Sequence, residues 1–239
     1  MVKRLFIPTY GPSDWRRLLA DPEKHWKAGR SALELAVCWE SARETERGIP
    51  PEVARVFDAY EHTQGAKLLI GIPEHRVAFE GGGHDSQSDL WGLLNVKGEQ
   101  ISMTIEAKAG EKLDLIVKDW LLANKERSHK SDRLTDLCIW LAVDRSDIDS
   151  IRYQLLHRAA SALKEAKRFG AAKALFLIQS FARERDSDSL DDFKKFGKVM
   201  HADVSENKIA FCERQKDVPL MLGWITSEAA DHGRLLDAV

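Results

Sequence analysis

Ser88-Asp89-Leu90-Trp91-Gly92-Leu93-Leu94-Asn95-Val96, then Lys97-Gly98, then Glu99-Gln100-Ile101-Ser102-Met103-Thr104-Ile105-Glu106-Ala107-Lys108 reads as two strands, Asp89–Val96 and Gln100–Lys108, separated by a turn at Lys97-Gly98. In the second strand the alternation is strict. Ile101, Met103, Ile105 and Ala107 share one face, and Ser102, Thr104, Glu106 and Lys108 share the other. A hairpin folded symmetrically about Lys97-Gly98 pairs residues whose numbers sum to 195. Leu90 then meets Ile105 and Leu94 meets Ile101, so the apolar positions fall together and the register agrees with burial. On the opposite face the same register sets Asp89 against Glu106.

Directly opposed side chains have Cβ atoms roughly 4.5–5.5 Å apart, where like charges repel. Two carboxylates so placed are tolerated when they share a proton or a divalent cation. Lys108 on the same face completes a set of two hard oxygen ligands and one ammonium. Metal-assisted phosphodiester hydrolysis needs such a set, because an ion polarises the phosphate and lowers the pKa of a bound water. The lysine orients that water or offsets charge on the transition state.

Outward from the hairpin, the N-terminal side reads helical. A short helix opens at Ser13-Asp14-Trp15, and Ser31-Ala32-Leu33-Glu34 has a capping-box pattern before a helix running to about Arg47. Another helix is expected from Glu52 to about Glu61 behind Pro51. Lys67 to Phe79 is β-rich with an interrupting Pro73, which suggests an edge or bulged strand. On the C-terminal side, Leu113, Ile116, Val117, Trp120 and Leu121 predict a helix over 111–123. An apolar segment, Leu134–Val143, follows. Ile151 to Phe169 is a long amphipathic helix closed by Gly170, and Ala174–Gln179 is a strand apolar enough for burial on both faces. A helix from Asp186–Ser189 to Met200, strands at Ile209–Cys212 and Leu220–Ile225, and a short or frayed helical tail from Ser227 complete the chain. The order predicts an α/β fold, a mixed central β-sheet flanked by helices.

The whole of 1–239 is expected to form one domain, with a helical N-terminal part over 1–65, a core over 66–180, and a helix and strands over 181–239. The 36 Lys and Arg against 38 Asp and Glu leave a net charge of −2, which excludes a polybasic coating protein but leaves room for a local basic groove. Mean hydropathy is −0.36, and no run approaches the length of a bilayer span, so no membrane partner is expected. Cys38, Cys138 and Cys212 match neither a metal-ligand spacing nor a disulfide framework, and a reducing cytoplasm is the expected compartment.

With these residues in view, Ser88-Asp89 followed by Ile105-Glu106-Ala107-Lys108 resembles the PD-(D/E)xK nuclease signature, with Ser88 where the motif's name has proline. The surrounding text also resembles a group of uncharacterised prokaryotic restriction-endonuclease-like proteins. It runs from Trp26–Ser31 through Gly81-Gly82 and Glu106–Glu111, then into Arg152–Arg158 and Ser180-Phe181. The resemblance implies a restriction-endonuclease-like core and Asp89 and Glu106 as metal ligands. It also implies the Ala107 carbonyl as a third ligand and Lys108 as the catalytic lysine. A glutamate from the helix before the sheet, Glu40 or Glu34, and a glutamine from the helix after it, Gln154, would complete the site. An all-oxygen site takes Mg²⁺ by default, or Mn²⁺. The expected partner is nucleic acid, DNA first, and by analogy with the superfamily two chains pair to cut both strands. Two further classes stand beside the nuclease reading: a catalytically silent module that binds nucleic acid or protein, and a structural subunit of a larger assembly.

Several residues carry a plainer reading. Glu34 suits a capping partner of Ser31 better than a ligand, and Glu40 suits an ordinary helix position. Glu111 sits where a helix is expected to begin, a position that favours carboxylates regardless of function. Gln154, His157 and Arg158 fall at helical spacing and share a face that points into a cleft or into water. Trp91 lies on the Asp89/Glu106 face and is a candidate cleft wall. His84 lies in the glycine-rich loop and suits a surface loop histidine better than a phosphate contact. Gly81-Gly82-Gly83 lacks the Lys-Ser/Thr of a triphosphate cradle. Basic clusters at Lys125, Arg127, Lys130 and Arg133 and at Lys164, Lys167, Arg168 and Lys173 suit a nucleic-acid backbone or a solvated face.

Overall fold

The computed structural model describes residues 8–123, 129–181, 187–214 and 217–229. The hairpin forms in the expected register. β2 (Ser86–Val96) pairs antiparallel with β3 (Glu99–Lys108), with Leu90 opposite Ile105 and Leu94 opposite Ile101. Lys97 and Gly98 both take positive φ, 52° and 93°, as a two-residue turn matched to strand twist requires. Gly98 N–H donates to Asn95 Oδ1 at 3.3 Å.

β1 (Lys67–Val77) adds antiparallel to β2 at the sheet edge, where Pro73 is tolerated. A register shift between Leu68 and Ile70 marks an irregularity in it. On the other side of β3 the chain crosses over through α7 (Tyr153–Phe169) to the parallel β4 (Lys173–Ser180). β6 (Leu220–Thr226) is parallel to β4, and β5 (Lys208–Phe211) is antiparallel to β6. The six strands run β1-β2-β3-β4-β6-β5, a mixed sheet flanked by helices.

Alternation along the strands sends side chains to two cores. Leu90, Leu94, Ile101, Met103, Ile105, Leu175 and Leu177 pack beneath α3 (Ser31–Ala42) and α4 (Pro51–Asp58). Phe176 and Ile178 pack on the other face with α6 (Lys130–Leu141), α7 and α8 (Ser187–Val199). Two short helices, α1 (Ser13–Arg16) and α2 (Pro22–His25), precede α3. His75 Nε2 on β1 lies 3.0 Å from Glu165 Oε2, which fastens the edge strand to α7.

Four local expectations are corrected. The helix over 111–123 shortens to α5 (Val117–Leu122). Residues 115–117 instead pair with 151–153: Tyr153 N–H donates to Leu115 O, and Val117 N–H donates to Ile151 O. That extended pairing buries Val117, Ile151 and Tyr153, half-buries Ile116 and leaves Leu115 exposed. α3 stops at Ala42 rather than near Arg47, and the chain turns through Thr45 to Gly48, whose φ is 62°. No side-chain cap bond forms at the start of α3, and Glu34 reaches back to Gly29 N–H at 2.8 Å instead of closing a box with Ser31. Trp91 does not line a cleft. It is fully buried, stacked on Phe169 of α7 at 4.7 Å, with its indole N–H donating to Ser102 Oγ. Most of the tail expected after Ser227 lies outside the described residues.

Among the described residues no helix is long and apolar enough to cross a membrane. All three cysteines are free thiols, and burial pushes the Cys38 thiol up to about 12.

Candidate functional site

β2 and β3 place Asp89 and Glu106 beside each other, one residue beyond the Leu90–Ile105 pair. Asp89 Oδ2 accepts from Ala107 N–H at 2.7 Å, so the β3 backbone fixes the carboxylate. Its other oxygen has no hydrogen bond among the described residues. Glu106 is fully engaged. Oε1 accepts from Lys108 Nζ at 2.8 Å and from Gln154 Nε2 at 2.6 Å, and Oε2 accepts from Arg158 Nε at 2.6 Å.

α7 supplies both Gln154 and Arg158, one turn apart on the face turned to the sheet. The polar side of that helix therefore meets the acids and not bulk water. Arg158 extends the network through Nη1, which donates to Ser86 Oγ and His157 Nδ1, each at 3.1 Å.

A third carboxylate joins from β1. Glu74 lies between Pro73, paired with Leu90, and His75, paired with Ser88, so it stands opposite Asp89. Its φ of 52° is left-handed, uncommon for a residue with a side chain and costly in backbone energy. Gln87 Nε2 donates to Glu74 Oε2 at 2.6 Å. Glu74, Asp89 and Glu106 thus form a row across three adjacent strands, faced by Lys108 and Arg158.

The charges follow from this arrangement. Burial, then the Glu106 carboxylate, pushes Asp89 up to about 7. Burial and Asp89 likewise hold Glu74 well above the usual carboxylate range. Burial opposes ionisation of Glu106 too, but Lys108 and Arg158 outweigh it and keep that carboxyl below its ordinary value. For Lys108 the burial penalty is exceeded by Glu106 and Asp89, so the ammonium stays charged. Three acids meet two cations, and both cations pair with Glu106, so among the described residues Glu74 and Asp89 have no ion pair of their own.

The remaining expected residues fall elsewhere. Glu40 is not brought to the pair: its carboxylate accepts from Thr9 Oγ1 at 2.6 Å and Trp15 Nε1 at 2.8 Å, and Arg43 lies 3.5 Å away. It braces α1 and the chain before it against α3. Glu34 is buried and serves the turn before α3. Glu111 accepts from Ser31 N–H at 3.1 Å and Ala109 N–H at 2.6 Å, clipping the start of α3 to the exit of β3. Ala107 contributes its N–H to Asp89, while its side chain enters the α3-side core. Of the basic cluster around α6, Lys125 and Arg127 lie outside the described residues.

Two participants escaped sequence reasoning. Glu74 carried no signal, because its place depends on β1 register and on a left-handed residue after Pro73. Arg158 was visible at i+4 from Gln154, but its bond to Glu106 needs the helix docked on the sheet.

Among the described residues no group of three or more His, Cys, Asp and Glu side chains converges as a ready-made metal cage. A family model described as a domain of unknown function (DUF6946) matches residues 8–229. The chain belongs to that family. No curated protein and no solved structure was found to match it. In this DUF6946 chain the matched range takes in the whole sheet and every member of the acidic row.

Proposed function

We propose that the chain is a divalent-cation-dependent nuclease that hydrolyses phosphodiester bonds of nucleic acid, DNA first, on a restriction-endonuclease-like core. The observation that carries this reading is the row of Glu74, Asp89 and Glu106 on adjacent strands, with Lys108 at its end. An antiparallel hairpin followed by a helical crossover to a parallel strand supports it, as does the agreement of Asp89, Glu106 and Lys108 with the resembled motif.

The donor set suits a hard cation in part. Asp89 and Glu74 each keep one carboxylate oxygen free of hydrogen bonds among the described residues, and burial that Lys108 and Arg158 only partly offset favours neutralisation by Mg²⁺ or Mn²⁺. Glu106 would join them on release from Arg158 or Gln154. When bound, such an ion supplies Lewis-acid polarisation of the phosphate and a water of lowered pKa. Lys108, held charged by its neighbours, stabilises the negative phosphoryl oxygens and cannot serve as a general base in that state. Gln154 fixes the carboxylate beside it, and its amide can turn to an incoming water.

A silent binding module is the second reading, favoured by the closure of Glu106 by three donors. Asp89→Asn separates the two, since it preserves shape and leaves no buried cation unpaired. Loss of plasmid or single-strand cleavage in Mg²⁺ or Mn²⁺ supports the nuclease. Equal cleavage by wild type and variant refutes it, and absence of millimolar Mn²⁺ binding by calorimetry favours the module.

A further inference from the structure

Beyond the acidic row, the glycine-rich loop after β1, the end of α5 and the start of α6 enclose a cavity of about 490 Å³. Its wall is a run of rings. Trp120 stacks on Tyr153 with centroids 3.9 Å apart and planes 11° from parallel, and Tyr153 lies 4.9 Å from His157. Cations surround the rings. Lys130 Nζ sits 4.7 Å from the Trp120 centroid and also reaches the carbonyl oxygens of Trp120 and Ala123. Arg133 donates to Tyr153 Oη at 2.5 Å and to Gly82 O at 3.1 Å. Among the described residues that line the cavity, Asp85 is the one acid.

His157 adds a directed donor. Arg158 can only donate, and its Nη1 points at His157 Nδ1, so that nitrogen carries the lone pair. Ser86 Oγ lies 2.8 Å from the same atom. The proton of the neutral ring is thereby assigned to Nε2, which has no hydrogen bond among the described residues. His157 is buried, yet its ring borders the cavity. A ring wall, two cations and a spare N–H call for a planar ligand bearing carbonyl and anionic oxygens. The volume is that of a small-molecule pocket and admits one nucleotide, not a stacked base pair within a duplex.

We propose that this cavity is a subsite for one unpaired nucleotide of a single-stranded nucleic acid, its base against the Trp120–Tyr153 wall and its phosphate at Lys130. This deepens the nuclease reading, on which the choice of a nucleic acid rests. Arg158 joins the two places, since the guanidinium that touches His157 also holds Glu106. A strand seated here lies one side chain away from the acidic row.

The test is fluorescence anisotropy on the full chain in EDTA, where cleavage plays no part. The probe is a fluorescein-labelled oligothymidylate of about 12 nucleotides, alone or annealed to oligoadenylate. The single strand is expected to bind about tenfold more tightly than the duplex, and Trp120→Ala to weaken it about tenfold, the effect of one lost base stack. Lys130→Gln with His84→Ala, at less buried positions, is expected to weaken it at least threefold and to flatten its salt dependence. Thymidine 5′-monophosphate should compete, and inorganic phosphate should not. Equal affinity for duplex and single strand, competition by phosphate alone, or unchanged binding by the Lys130/His84 double variant would overturn the subsite. Failure of cleavage in Mg²⁺ leaves this binding intact. Conversely, cleavage that persists while the single strand fails to bind removes the subsite alone.

Discussion

Asp89→Asn should stabilise the protein at pH 8 and do little at pH 5. The folded-state pKa of Asp89 is about 7, against an ordinary 3.8. An acid with a raised pKa binds more protons folded than unfolded, so its contribution to stability falls as pH rises from about 4 to about 7. From pH 5 to pH 8 the loss is at most about 2.7 kcal/mol, at about 1.36 kcal/mol per unit over the titrating range. Asp89 keeps some contact with water, and screening reduces the figure to about 1–2 kcal/mol. For a chain of this size that is a melting-temperature gain of roughly 3–6 °C for the variant at pH 8.

The wild-type curve alone would hide this slope. Burial, then Arg158 and Arg133, push His157 well below its ordinary value, so its contribution is present above about pH 6.5 and is lost as pH falls below that. The two slopes oppose each other near pH 6, and only the difference between variant and wild type isolates Asp89. Urea midpoints from pH 5 to 8, on matched samples without divalent ions, give that difference directly. A difference that stays flat with pH would refute the electrostatic account. Glu74, also held high, adds to the wild type's loss of stability as pH rises, and Glu106, Lys108 and Arg158 stay ionised throughout the window.

Arg158→Leu leaves Glu106 with Lys108 and Gln154 and removes the cation that acts most strongly on Asp89 and Glu74. Urea unfolding should show a loss of about 3–5 kcal/mol, the cost of breaking a buried pair, and a loss under 1 kcal/mol would refute its structural role. Among the described residues Ser88 Oγ is buried without a hydrogen-bond partner, so Ser88→Ala is expected to be neutral or stabilising by about 1 kcal/mol, checked by thermal melting. At Gly81 an added Cβ would lie 2.6 Å from Arg133 N and 2.7 Å from His129 O, at a φ of 81°. Gly81→Ala should therefore cost about 1–3 kcal/mol and loosen the loop over the ring-lined cavity, read by calorimetry and by faster amide exchange in residues 80–85.

The hairpin and the Asp89–Glu106 neighbourhood were legible because strand parity and one two-residue turn leave a single register that buries Leu90, Leu94, Ile101 and Ile105. α7 was legible for similar reasons, from apolar spacing and the stop at Gly170. Glu74 was hidden because β1 reaches β2 across an irregularity, and a non-glycine residue in left-handed backbone cannot be read from alternation. The segment at 111–116 misled because Leu113 and Ile116 suit a helix and a paired extended chain equally, and only the partner at 151–153 decides. Glu40 suited the helix-glutamate role by position, yet Thr9, Trp15 and Arg43 claim it, all contacts distant in sequence or invisible to a motif.

The bend at Lys97-Gly98 has a reach out of proportion to its place at the water's edge. It lies roughly 26 Å along β2 from Asp89, at about 3.3 Å per residue, and none of the described residues crowds Gly98, so its dihedral angle is what matters there. A β-branched replacement such as Gly98→Val would favour a wider loop and a strand slipped by one step. Asp89 would then look at Ala107, with the acids thrown to opposite sides of the ribbon. A lesion far from any reacting atom would thus mimic deletion of a ligand, and selection on the chemistry would be felt at a solvent-facing corner.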